Sequence, residues 1–235
     1  MENVITLQSV VALSGSYPIL SGVDLEVARG EIIFLQGSNG TGKTSLLRAI
    51  GGLVSISSGT IYILGQDLLK NKRVLRQKMG FLSHSDFLYE DLTIEENMRF
   101  YLKASGAGLD HIDQALDHMG LSGRLSKVLT SRLSVGQRRR AAIATLIARQ
   151  CEIWLLDEPH AGLDADARDL LDSLITQASS QGVTIILSSH EANRAVELST
   201  RVITMAGGHI VASHLSTSDE ILIPKSTKSD STNVA

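Results

Sequence analysis

Apolar and polar positions alternate over Val4–Val11 and Gly22–Val27, which predicts two strands paired with each other across Tyr17-Pro18. The alternation then stops. Ile32-Ile33-Phe34-Leu35 is apolar throughout, as a strand buried on both faces would be, and Glu31–Leu35 is expected as that strand. Helical spacing follows over Thr44–Leu53, and Thr60–Leu64 and Met79–Ser83 predict further strands around a turn at Gly65-Gln66-Asp67. Residues 91–148 lose strand character, and their apolar spacing predicts helices at Thr93–Ala104, Asp110–Met119 and Val135–Arg149. Strands return at Glu152–Leu156, Thr184–Leu187 and Val202–Ala206, separated by the helical stretches Ala165–Ser179 and Glu191–Leu198. After Gly207-Gly208, residues 210–213 predict an edge strand. Strands separated by helices imply a mainly parallel sheet covered on both faces, an α/β architecture. From Ile223 to Ala235 the chain is rich in Ser, Thr, Lys and Asp, and a disordered tail is expected there.

A length of 235 residues suits one domain, or one domain with a subdomain, and 43% hydrophobic residues with 20% charged is ordinary for a globular chain. The net charge of −3 gives no reason to expect a nucleic-acid partner. The single cysteine, Cys151, allows no intramolecular disulfide; a buried structural thiol in a reducing cytosol is expected. Met1-Glu-Asn-Val lacks the basic start of a signal peptide, and no apolar run approaches the roughly 18 residues of a membrane span. A membrane role would therefore have to come through a partner.

The chemistry is concentrated in a few stretches. Gly37-Ser38-Asn39-Gly40-Thr41-Gly42-Lys43-Thr44 reads G-x-x-x-x-G-K-T, between the apolar run and the helical Ser45–Ile50. Its glycines let successive backbone N–H groups turn towards phosphate oxygens, and the following helix N-terminus adds partial positive charge. Lys43 can reach the terminal phosphates of a nucleoside triphosphate, and the Thr44 hydroxyl can ligate Mg²⁺. Downstream, Ile153-Trp-Leu-Leu-Asp157-Glu158 is an apolar strand ending in two carboxylates, where ligands of parallel sheets bind. Asp157 there can hold the metal and Glu158 can polarise an attacking water. Leu133-Ser134-Val135-Gly136-Gln137 opens a helix with a hydroxyl and free N–H groups suited to an anion. The run Arg138–Arg140 that follows is expected as a solvated or dimer-facing helix face.

Together these stretches, with Gly162-Leu163-Asp164 and His190 in order behind them, make the chain resemble the nucleotide-binding subunits of ATP-binding-cassette (ABC) transporters over about residues 1–215. The resemblance implies a P-loop NTPase core with a helical subdomain, about residues 84–148, and a small antiparallel β subdomain within a domain of 1–222. It implies ATP and Mg²⁺ as ligands, with Gly37 through Ser45 holding nucleotide and Thr44 and Asp157 holding metal. Glu158, His190 and Lys43 would be catalytic, His190 as a switch on the γ-phosphate. Ser134, Gly136 and Gln137 would cap the γ-phosphate bound by the other subunit of a head-to-tail dimer, and Asp164 would lie at its seam. The implied partners are a second ATPase subunit and an integral membrane permease, at the cytoplasmic face of the cell membrane.

Two positions depart from the family pattern. His84 stands where a Gln is usual, and the aromatic that stacks on adenine, expected near Ser14, is assigned to Tyr17, three residues later. His84, Gly-Ser-Asn-Gly in the phosphate loop, the non-glycine Val135 and Leu92-Thr-Ile-Glu-Glu-Asn97-Met-Arg-Phe-Tyr are most similar to the ATPase of cytochrome c biogenesis haem exporters. The alternative is the ATPase of a drug or lipid exporter.

Overall fold

A computed structural model describes residues 2–216; the expected tail at 223–235 and the expected domain end at 222 lie outside the described residues. Strands β1 (Asn3–Ser14) and β2 (Tyr17–Ala28) form an antiparallel hairpin. Its turn is at Gly15-Ser16, with Gly15 at φ 61°, so Tyr17 and Pro18 belong to β2 and not to the connection. Proline is tolerated there because β2 is an edge strand of its sheet. The other strands of that sheet are β4 (Ile56–Ile63) and the two-residue β5 (Gln66–Asp67), in the order β2-β1-β4-β5.

The second sheet has the order β10-β9-β3-β8-β7-β6. Strands β3 (Ile32–Gln36), β6 (Met79–Leu82), β7 (Ile153–Asp157), β8 (Thr184–Ser188) and β9 (Arg201–Ala206) run parallel, and β10 (His209–Leu215) closes one edge antiparallel to β9. The continuous apolar runs are explained by two cores, one on each face of this sheet. Phe34, Trp154, Leu156 and Leu187 point into one, beneath the helices α3 (Ile94–Ser105), α4 (Ile112–His118), α5 (Val135–Ala148) and α6 (Ala165–Ser180). Ile33, Leu35, Leu155 and Ile186 point into the other, against α1 (Lys43–Ile50) and the antiparallel sheet.

Helix α3 starts in a capping box: the Glu96 amide donates to the Thr93 hydroxyl, and the Thr93 amide and hydroxyl donate to the Glu96 carboxylate. That arrangement holds the Glu96 carboxyl below its ordinary value, chiefly through the Thr93 amide. Helix α1 is shorter than its spacing predicts, ending at Gly51-Gly52. A further helix, α2 (Lys72–Gln77), was not predicted; only Leu75 of its residues is buried. A last helix, α7 (Ala192–Leu198), follows β8. Cys151 is buried, as expected, and burial pushes its thiol pKa up. The basic run is corrected in one respect: Arg138 and Arg140 are partly exposed, but Arg139 points inward and is 2% exposed.

Candidate nucleotide site

The carboxyl ends of four neighbouring parallel strands, β6, β7, β8 and β3, deliver His84, Asp157-Glu158, Ser188–His190 and the phosphate loop to one edge of the sheet. The loop is shaped by Gly37, Gly40 and Gly42, at φ 147°, 80° and 108°. A Cβ on Gly37 would lie 2.5 Å from the Met205 carbonyl oxygen, whereas one on Gly40 would meet nothing within 4 Å. Gly42 caps α1 and offers no side chain to its first turn, so those amides stay open to an anion. The Lys43 ammonium donates to the carbonyls of Gly37 (2.7 Å) and Ser38 (3.0 Å), leaving one of its three protons for a phosphate oxygen.

Asp157 is buried and held from two sides. Its carboxylate accepts from the Thr44 hydroxyl at 3.0 Å to each oxygen, and from the Ser188 hydroxyl at 2.7 Å. Thr44 and Asp157 therefore present hard oxygen donors side by side, a set that fits Mg²⁺, which takes few protein ligands and keeps several waters. Glu158 has a left-handed backbone, φ 51°, uncommon for a residue of its kind. One of its carboxylate oxygens accepts from the His190 amide at 2.9 Å, and the other lies 3.5 Å from Nε2 of the His190 ring, which is 66% exposed.

These groups line a cavity of about 570 Å³ with Asn39, Gly40, Gly42, Lys43, Thr44, Ser45 and His84. Gly37 and Ser38 stand behind it as acceptors for Lys43, and the Thr41 hydroxyl braces the loop on the Ser38 carbonyl at 2.8 Å. The remaining wall was missed from sequence: Pro18 and Ile19 of β2, and Gly207-Gly208 between β9 and β10. The Ser21 amide bonds the Gly208 carbonyl at 3.0 Å, bringing the hairpin onto the sheet there. Tyr17 is 79% exposed and does not line the cavity, although its neighbour Pro18 does.

Ser134, Gly136 and Gln137 are also outside the cavity. They form the N-terminus of α5, where the Ser134 hydroxyl accepts from the Gln137 amide (3.1 Å) and the Gln137 side chain accepts from the Ser134 amide (2.9 Å). Ser134 is exposed, and its hydroxyl hydrogen remains free to donate. Asp164 caps α6 by accepting from the Ala167 amide at 2.9 Å.

A larger cleft, about 700 Å³, opens on the other side of the segment after β6. Ser83, Ser85 and Asp86 line that cleft while His84 lines the nucleotide cavity. Its lining includes Lys72, Arg73 and Arg76 of α2 together with Phe87, Leu88 and Tyr101. Among the described residues, no helix is long and apolar enough to cross a membrane.

Residues 20–161 match the protein family described as ABC transporter. The cytochrome c biogenesis ATP-binding export protein CcmA of Nitrosomonas europaea is 36% identical over 191 residues, covering 80% of this chain and 88% of that one. The maltose/maltodextrin import ATP-binding protein MalK of Vibrio vulnificus is 35% identical over 211 residues, covering 88% of this chain but 56% of its own length. Among solved structures, the dimer of an ATP-binding cassette in a post-hydrolysis state with ADP and Pi has a TM-score of 0.78 at 25% identity, covering 91% of this chain and 99% of that one.

Proposed function

This chain belongs to the ABC transporter family as an ATP-binding, ATP-hydrolysing subunit, and from that premise we propose that it powers a separate membrane permease serving haem export in cytochrome c biogenesis. The observation that carries the catalytic part is the single cavity joining Lys43, Thr44, Asp157, Glu158 and His190. In this reading Lys43 and the α1 amides hold the β- and γ-phosphates, and Glu158 takes the proton of the attacking water. Mg²⁺, held through Thr44 and Asp157, would supply charge neutralisation on the phosphate oxygens when bound. His190 orients the Glu158 carboxylate through its amide and its ring. The second subunit's Ser134 hydroxyl and Gly136 amide, with Gln137 beside them, would cap the γ-phosphate, in keeping with their place outside this chain's own cavity. The permease would dock in the larger cleft, whose aromatic and basic lining residues suit an amphipathic segment with an acidic side.

Haem export rests on the resemblance to CcmA and on His84, Val135, the Gly37–Gly40 sequence and the stretch Leu92–Tyr101; MalK, an importer ATPase, is of similar identity. Deleting the gene tests it. Holocytochrome c should be absent from haem-stained gels while the apo-polypeptide is still made and exported. Normal haem attachment would replace this reading with that of a drug or lipid exporter.

A further inference from the structure

Arg139 enters the protein from α5 and ends between the two segments that flank the catalytic carboxylate. Its Nε donates to the Pro159 carbonyl at 3.1 Å, and its Nη2 to the Glu158 carbonyl at 2.6 Å and, more weakly, to that of Asp157 at 3.4 Å. Its Nη1 donates to the Ser83 carbonyl at 2.5 Å and lies 3.8 Å from the Asp86 carboxylate. A guanidinium that is 2% exposed is costly to desolvate, and it is retained only where its donors are matched. Here they are matched mainly by the backbone of residues 157–159, the stretch containing Glu158 at φ 51°. A left-handed glutamate persists where its surroundings over-determine it. Both of its peptide groups are tied: the amide donates to the Ser188 carbonyl at 3.1 Å, and the carbonyl accepts from Arg139.

We infer that Arg139 is a positioning residue for ATP hydrolysis, clamping peptide units 157–159 so that Glu158 keeps the backbone conformation that turns its carboxylate into the phosphate cavity. The same guanidinium reaches Ser83 and Asp86, so the clamp also spans from the wall of the larger cleft to the catalytic strand. The inference rests on Glu158 being the base, and the experiment separates the two claims.

Steady-state ATPase activity and ATP affinity are measured for Arg139→Met and Arg139→Gln, each in the parent and in Glu158→Gln. Glu158→Gln alone should bind MgATP and lose turnover by at least about 100-fold, the scale of general-base removal; retained turnover there would end the base assignment itself. Arg139→Met should lower kcat by roughly 100-fold, as a displaced catalytic group does, with ATP affinity within about threefold of the parent. Arg139→Gln, which keeps two donors, should fall between. In the Glu158→Gln background neither change should lower the residual rate by more than about twofold, because a residue acting only through Glu158 has nothing left to position. An equal loss in both backgrounds, or a parent-like kcat in folded Arg139→Gln, would overturn the inference. Should Arg139→Met fail to fold by circular dichroism, Arg139→Gln carries the test alone.

Discussion

Two helix N-termini in this protein are built in opposite ways. Helix α1 starts behind Gly42 with no side chain accepting from its first turn, and the surrounding loop, Lys43 and the acidic strand close a cavity around it. Helix α5 starts in a capping box, Ser134 and Gln137 satisfying each other's amides, on an exposed part of the surface. The first leaves its donors open and gathers a site within one chain. The second satisfies its own cap and lines neither of the two cavities described above, yet keeps a hydroxyl hydrogen, its remaining amides and the exposed Val135 facing outward. The contrast teaches that a capped N-terminus is not thereby excluded from anion binding: the capping oxygen accepts, while its hydrogen is still free to donate.

The largest expected effect comes from separating the two ends onto different subunits. Lys43→Ala and Ser134→Arg proteins should each lose hydrolysis by about 100-fold or more, the scale of a lost charge-stabilising group. Mixing them should recover activity above either alone, limited to the one heterodimer site with both parts intact. No recovery on mixing, with heterodimers demonstrated by sedimentation, would mean that α1 and α5 do not share a phosphate between chains.

A second test acts on the open end alone. Gly37→Ala forces a Cβ to within 2.5 Å of the Met205 carbonyl oxygen, a backbone atom that must then shift, and should weaken ATP binding at least about tenfold, or ~1.4 kcal/mol. Gly40→Ala meets no protein atom within 4 Å and pays only for its left-handed backbone, about 1–2 kcal/mol of stability, so its loss of ATP affinity should be smaller than that of Gly37→Ala. Equilibrium titration of both variants reads the difference directly.

The smallest effect compares two capping boxes. Ser134→Ala and Thr93→Ala should each cost about 1 kcal/mol in chemical denaturation, but only the former should slow hydrolysis. The α3 box also has a pH signature. Because the folded Glu96 carboxyl sits below its ordinary value, its contribution is complete above the carboxylate range and is lost as pH falls through the depressed value. The unfolding midpoint of Glu96→Ala should therefore decline less steeply on acidification than that of the parent.

The parallel strands were legible in the sequence because strands buried on both faces have nothing but apolar residues to show. The phosphate loop was legible because its glycines, Lys43 and Thr44 are contiguous. Helix α2 was not: apart from Val74 and Leu75 its residues are basic or amide, and with only Leu75 buried no apolar periodicity survives. The hairpin turn was misplaced because Tyr17-Pro18 looks like a breaker, and nothing local says that β2 lies at a sheet edge. Pro18, Ile19, Gly207 and Gly208 come together from opposite ends of the chain, and no motif links them. Arg139 did leave a trace. It shares a helical face with Ala142, Ile143 and Leu146, all buried, but its neighbours Arg138 and Arg140 disguise it as part of a solvated run.

Strand β3 has a consequence for how the protein is made. Its sheet neighbours are β8 and β9, so Ile32 pairs with Ile185, and Ile33 with both Ile186 and Arg201. At about 5–20 residues per second, a ribosome delivers those partners some 8–30 s after β3 itself. During that interval the apolar run ahead of the phosphate loop has neither edge paired. A nascent chain arrested before β8 therefore carries the whole loop motif but lacks the strands that flank β3, and the loop has no paired sheet to anchor it.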